Sequence, residues 1–167
     1  MRQLAILVAL ACVAAEPATV LQGKVIHVAD GDTLTILVGT DQVKIRLEGI
    51  DSPEAKQAFG NRAKQRLSEL THGKEVTVTK TGEDRYKRTL GVVWVAGRDV
   101  NAELVREGMA WHYKQFSKDA ELSKLETQAR EAKRGLWADP APVAPWDFRK
   151  AKREADAAKR AAKKLAA

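Results

Sequence analysis

Five charged residues lie where carboxylate and guanidinium chemistry can meet: Asp32 in the run Asp30-Gly31-Asp32-Thr33, then Arg46, Asp51, Glu54 and Arg88. Asp32 and Asp51, presented from separate loops, form the kind of oxygen donor pair that a hard cation takes. Arg46 stands close enough in the chain to fork a phosphate beside them. Each signal is weak alone. Asp-Gly is among the commonest turn dipeptides, and Ser52-Pro53-Glu54 is a helix start in its own right, with a cap oxygen, a proline and an acid in order. A second cluster, Asp84-Arg85-Tyr86-Lys87-Arg88, reads by default as a solvated loop. Tyr86 between arginines also offers stacking together with charge, which suits a nucleotide base and its phosphate. Arg88 opens a strand, so its position is better fixed than that of Arg85.

The elements that must hold these residues follow from the hydrophobic periodicity. Period-two alternation runs from Gln22 through Val25 and His27, and again through Leu34, Ile36 and Val38. After Gly39-Thr40-Asp41 it resumes at Val43, Ile45 and Leu47, predicting a hairpin. A helix is expected from about Pro53 to Leu70, a fourth strand around Val76 and Val78, and a fifth through Leu90, Val92 and Trp94. A short helix over Asn101–Glu107, stopped by Gly108, and a longer one over Asp119–Arg134, stopped by Gly135, complete the set. Short strands with one helix inserted and two following predict an α+β domain, an antiparallel barrel with helical packing.

The chain has 167 residues, 44% hydrophobic and 31% charged, which is material for one core. Its net charge of +7 comes from 29 Lys+Arg against 22 Asp+Glu. Residues 148–167 alone hold eight basic side chains against two acids, so the body between residues 16 and 147 is balanced. A polyanion partner is therefore argued from bulk charge only for the tail. Residues 1–15 are a short apolar run ending in Val13-Ala14-Ala15. That is too short to span a bilayer and fits a cleavable secretory signal, which implies a secreted or periplasmic protein. Cys12, the single cysteine, would leave with it. The folded body is then expected over residues 16–138, a connector over 139–147 with three prolines between Asp139 and Pro145, and a basic Ala/Lys-rich tail over 148–167.

Together, Gly-Lys-Val with Asp-Gly-Asp-Thr, Arg46-Leu-Glu-Gly-Ile-Asp51-Ser-Pro-Glu54, Asp84-Arg-Tyr-Lys-Arg88, Leu104-Val-Arg-Glu-Gly108 and Gly135-Leu-Trp137 resemble the staphylococcal nuclease family in order and spacing. The resemblance covers roughly residues 22–138. It implies a five-stranded OB-like barrel packed with three helices that cleaves DNA and RNA, single-stranded or denatured, with a calcium ion. Carried over by motif, Asp32 and Asp51 would be calcium ligands together with the carbonyl of Ser52. Arg46 and Arg88 would grip the phosphate, Glu54 would activate or orient the attacking water, and Arg85 and Tyr86 would contact substrate. Products with a 5′-hydroxyl and a 3′-phosphate are expected on the same ground. Two departures stand out. Ser52 replaces a common threonine, which a carbonyl ligand does not feel. Lys87 stands where glycine is frequent, so a positive φ there would cost about 1 kcal/mol. The family's paired pocket tyrosines are not cleanly reproduced; Tyr113 and Phe116 lie nearby and are equally compatible with the core.

Other chemistries find no support. His27, His72 and His112 have no metal spacing, and there is no Gly-x-Ser-x-Gly elbow, P-loop or Cys/His zinc pattern. Trp94, Trp111 and Trp137 are expected in the core, and Trp146 anchors the tail. The rival function is a non-catalytic OB-like nucleic-acid-binding domain. A tethered envelope protein explains the tail but not the charged site. Nothing in the sequence demands more than a monomer.

Overall fold

The computed structural model describes residues 19–165, so the expected secretory signal over residues 1–15, with Cys12, lies outside the described residues. In chain order the elements are β1 (Val20–Val28), β2 (Thr33–Val38), β3 (Asp41–Leu47), β4 (Ile50–Asp51), α1 (Gly60–Thr71), β5 (Glu75–Glu83), β6 (Thr89–Val95), β7 (Arg98–Asp99), α2 (Val100–Arg106), β8 (Trp111–His112), α3 (Ala120–Glu131), a 3-10 turn (Gly135–Ala138) and α4 (Pro145–Leu165). No helix among the described residues is long and apolar enough to cross a membrane.

The alternating apolar residues of the strands face one interior. Val25, Leu34, Ile36, Ile45, Val78 and Val93 are each at most 1% exposed and pack with Leu67 of α1 and Leu104 of α2. The sheet runs β3-β2-β1-β5-β6-β7 and closes on itself where β3 pairs with β6. That closure gives the α+β barrel expected from the periodicity and the OB-like form that the resemblance implies. One pairing departs from the antiparallel expectation: Ile45, Arg46 and Leu47 meet Thr89, Leu90 and Gly91 in parallel. Both strands enter the seam from the same end because α1 and β5 intervene between them, a crossover long enough to reverse the chain. The closure also removes the exposed sheet edges that invite association.

Asn101 fastens this seam. Buried at 1% exposure, it accepts from the Val93 N–H at 3.1 Å and donates to the carbonyls of Glu48 at 2.9 Å and Gly91 at 3.3 Å. The turn that leads from β3 into β4 is thereby held against β6, and Arg46, Asp51 and the start of β6 share one framework.

Two helix boundaries differ from expectation. α1 begins at Gly60, not near Pro53, because the cap oxygen of Ser52 is engaged elsewhere: its Oγ donates to the Gly31 carbonyl at 2.8 Å. Residues 52–59 instead fold as a compact loop. Glu54 N–H donates to Gln57 Oε1 at 2.8 Å and Gln57 N–H returns to the Glu54 carbonyl at 2.8 Å. A Cβ on Gly60 would lie 2.0 Å from that carbonyl, so only glycine admits the loop this close to the helix. α3 ends at Glu131, short of Arg134, because Lys133 turns left-handed at φ 52°. A fourth helix, α4, is present beyond the three expected.

A second small core joins Trp111, Ala129, Leu136, Trp137 and Ala144 with Phe59 and Trp146. It ties the start of α4 to β8, α3 and the loop after β4. Trp94 sits at the barrel surface, half-buried, with its indole N–H donating to Thr79 Oγ1 at 3.1 Å. The expectation that it belongs to the core is thus corrected, while Trp111 and Trp137 are buried. His27 and His72 are exposed and His112 is buried. Replacing Asn101 by Ala should cost about 1–3 kcal/mol, because it strands buried backbone groups on both sides of the seam. Urea unfolding checks this, and an unchanged midpoint would contradict the role.

Candidate active site

Asp32 is positioned by the turn between β1 and β2. Its N–H donates to Asp30 Oδ1 at 3.1 Å and its carbonyl accepts from Leu47 N–H at 2.9 Å, which pins the turn to the end of β3. Gly31 makes the approach possible: a Cβ there would fall 2.7 Å from the Cβ atoms of both Ala63 and Ser52. Asp51 lies on β4, paired through Trp111 of β8. The backbone N–H of Ser52 donates to Asp32 Oδ2 at 2.7 Å, bringing two loops twenty residues apart into contact.

Arg46, at the end of β3, sits between the two acids. Its Nη2 donates to Asp51 Oδ1 at 2.7 Å, and Nη1 lies 2.7 Å from Asp32 Oδ2 in an ion pair outside good hydrogen-bond alignment. The side chains of Arg46, Asp32 and Asp51 are 13%, 8% and 1% exposed. Burial pushes the Asp32 carboxyl up to about 7, helped by the nearby charges of Asp30 and Asp51 and opposed by Arg46 and the Ser52 N–H. Burial would lower the pKa of Arg46, but the carboxylates of Asp32 and Asp51 outweigh it and hold the guanidinium firmly charged.

Glu54 is half-buried at the rim, its carboxylate about two-fifths exposed. The structure brings it to Asp51 through a residue the motifs do not contain. Arg149, in the first turns of α4, donates from Nη2 to Asp51 Oδ2 at 2.7 Å. Its Nη1 donates to Asp51 Oδ1 at 3.2 Å and to Glu54 Oε1 at 2.9 Å. Basic runs usually solvate, and this one gives no sign of its own. The available signal is Trp146, three positions earlier and so on the same helical face. Its ring stacks on Tyr113, centroids 5.2 Å apart and planes 1° apart, and meets Trp111 edge-on.

The loop before β6 carries the other named residues. Asp84 binds the Arg88 side chain through Nε and Nη2 at 2.7 Å and accepts from the backbone N–H groups of Tyr86 and Arg88. Burial opposes ionisation of Asp84, but those donors outweigh it and lower the carboxyl below its usual range. Arg88 precedes Thr89, the first residue of β6 to pair with β3, and its side-chain partner is Asp84 and not the acids around Arg46. Arg85 and Tyr86 are exposed, with the guanidinium groups of Arg85 and Arg88 4.9 and 5.5 Å from the Tyr86 ring centre. Tyr113 is half-buried and Phe116 66% exposed, so neither is a core residue.

The donor set suits a hard cation. Two buried carboxylates from separate loops converge without nitrogen or sulfur ligands, and only guanidinium groups balance them. Among the described residues no group of three or more His, Cys, Asp and Glu side chains forms a ready-made cage. The positions beyond Asp32, Asp51 and a backbone carbonyl at Ser52 would fall to water and substrate oxygens. Lys87 has φ 60°, the strained conformation that the glycine-frequent position implies. Lys87→Gly should raise stability by about 0.5–1 kcal/mol in urea unfolding, and a loss would contradict the strain.

Residues 44–139 match a family model described as staphylococcal nuclease homologue. The chain is 44% identical over 145 residues to a micrococcal nuclease of Shigella flexneri, covering 80% of this chain and 83% of that one. It is also 44% identical over 128 residues to an uncharacterized endonuclease of Haemophilus influenzae, covering 76% and 72% respectively. A staphylococcal-like nuclease of Arabidopsis thaliana shares 44% over 110 residues, 66% of this chain and 34% of its own length. With its barrel, its order of charged residues and these relatives in agreement, the chain belongs to the staphylococcal nuclease family.

Proposed function

We propose that the protein is a secreted or periplasmic, calcium-dependent nuclease that hydrolyses phosphodiester bonds of DNA and RNA with low sequence specificity. It would act as a monomer, preferring single-stranded or denatured substrate and leaving 5′-hydroxyl and 3′-phosphate ends. The observation that carries this reading is the convergence of Asp32 with Asp51 and Glu54, from two separate stretches of chain, around Arg46 and Arg149. Nuclease relatives over most of the chain support the reaction class.

A phosphodiester repels an incoming hydroxide and gathers more charge on its equatorial oxygens as it is attacked, so positive groups fixed in a partly dry site lower the barrier. A calcium ion held by Asp32, Asp51 and the Ser52 carbonyl would supply Lewis-acid stabilisation of that charge. Arg46 is preorganised by its two carboxylates and offers a planar fork that a lysine would not reproduce. Arg88 is oriented by Asp84 in the same sense, and Arg85 and Tyr86 beside it offer charge and a stacking face to a nucleotide. Glu54 is the one acid of the three at the rim, where water reaches it, and so is placed to take a proton from an attacking water at its carboxylate.

Beyond Arg149, α4 is exposed from Ala151 to Leu165 and rich in lysine and arginine. This stretch would add a salt-sensitive, sequence-independent contribution to nucleic-acid affinity.

Release of acid-soluble nucleotides from denatured DNA should occur with millimolar calcium, stop with chelator and return on re-addition. Glu54→Gln should lower kcat by about 10²–10⁴-fold with substrate affinity nearly kept; a wild-type rate would remove Glu54 from the mechanism. Folded chain that binds DNA without cleaving it under any of these conditions would favour the non-catalytic binding domain. Deleting residues 151–167 should flatten the dependence of DNA affinity on salt, and an unchanged slope would remove the tail from binding.

A further inference from the structure

Arg149 lies outside the residues assigned to cation or substrate, yet it makes three hydrogen bonds to the acidic centre, where Arg46 makes two ion pairs. Its two terminal nitrogens engage both oxygens of Asp51, and one of them bridges on to Glu54. Asp51 Oδ1 also accepts from Arg46, so both oxygens of the carboxylate are already held by guanidinium groups. A calcium ion needs those oxygens at about 2.3–2.6 Å. A guanidinium nitrogen on the same oxygen would then face a divalent charge at close range, in a site with little solvent to screen it.

We propose that Arg149 is an internal counter-cation, a latch that occupies the Asp51–Glu54 side of the site and must leave Asp51 before a divalent cation binds there. The inference rests on the calcium reading of Asp32 and Asp51. The latch has an anchor that keeps it at high local concentration: Trp146, one helical turn earlier, is stacked on Tyr113 and set against Trp111, and Ala144 and Pro145 are buried. Burial disfavours the charged form of Arg149, but Asp51 and Glu54 outweigh it and hold the guanidinium charged, so it does not leave by losing a proton. Arg46 is different. It bridges Asp32 to Asp51 from the end of β3, and its removal would leave Asp32 without a guanidinium partner. Arg149 comes from outside, on a helix whose remaining residues, Ala151 to Leu165, are all exposed, so it can withdraw without disturbing the barrel.

The sign of the effect separates a latch from a brace. A residue that merely supports the site weakens cation binding when removed; a competitor strengthens it. Calcium chloride titrated calorimetrically into the full chain and into Arg149→Ala should show tighter binding by the variant, about tenfold if the latch is closed nine-tenths of the time. Arg149→Lys, a point charge unable to hold Asp51 and Glu54 together, should fall between. A second measurement uses the unmodified chain. The ¹⁵N–¹H signal of Arg149 Nε, assigned by its absence from the variant, should shift with the same calcium midpoint as the calorimetric binding. Equal or weaker binding by Arg149→Ala, or an Arg149 signal unmoved at saturation, overturns the latch and leaves the calcium site standing. No calcium binding by either chain overturns the site and the latch together.

Discussion

The buried fork of Arg46 between Asp32 and Asp51 is the interaction on which the rest of the structure depends. Two carboxylates in a site of low exposure repel each other and lose hydration, and neither cost is recovered without a positive charge placed between them. Arg46 supplies that charge from the end of β3, where the barrel closes. The parallel pairing of β3 with β6 fixes the strand end, Asn101 fastens the turn that follows, and the Leu47 N–H holds the Asp32 turn against it. Even so, burial pushes the Asp32 carboxyl well above the usual range despite the opposing charge of Arg46.

Much of the fold was legible because it is local. The alternation of Val25, Leu34, Ile36, Val43 and Ile45 sets which face of each strand turns inward, and Asp119 caps α3 through the N–H groups of Glu121 and Leu122 as its type suggests. What was not legible depends on distant partners. Nothing within 45–47 or 89–91 announces that these segments lie parallel. Ser52 has every feature of a helix cap, but its Oγ bonds Gly31 and its N–H bonds Asp32, so the helix waits until Gly60. The same diversion that defeats the local rule assembles the site.

The site residues divide in the same way. Asp32, Arg46, Asp51 and Glu54 were visible through their motifs and are gathered within one network of ion pairs. Arg88 was visible too, but its side chain is tied to Asp84 and not to the acids of that network. Arg149 was hidden because a lysine- and arginine-rich run carries no pattern that marks one guanidinium as different from its neighbours. Its distinction comes from Trp146, whose stacking on Tyr113 turns the first part of a solvated helix into part of the site. The tail is thus two things in sequence, a docked turn that reaches the acids and an exposed basic helix beyond it.

The central claim is that Asp32 and Asp51, organised by Arg46, form a calcium site at which a phosphodiester is held. A crystal structure of the chain with calcium and a short oligonucleotide whose phosphodiester is replaced by a non-hydrolysable analogue tests it most directly. The ion is predicted between the carboxylates of Asp32 and Asp51 with the Ser52 carbonyl as a third ligand, and the phosphate within reach of Arg46 and Arg88. Calcium bound elsewhere, or a nucleotide seated away from these residues at saturating concentrations of both, would contradict it.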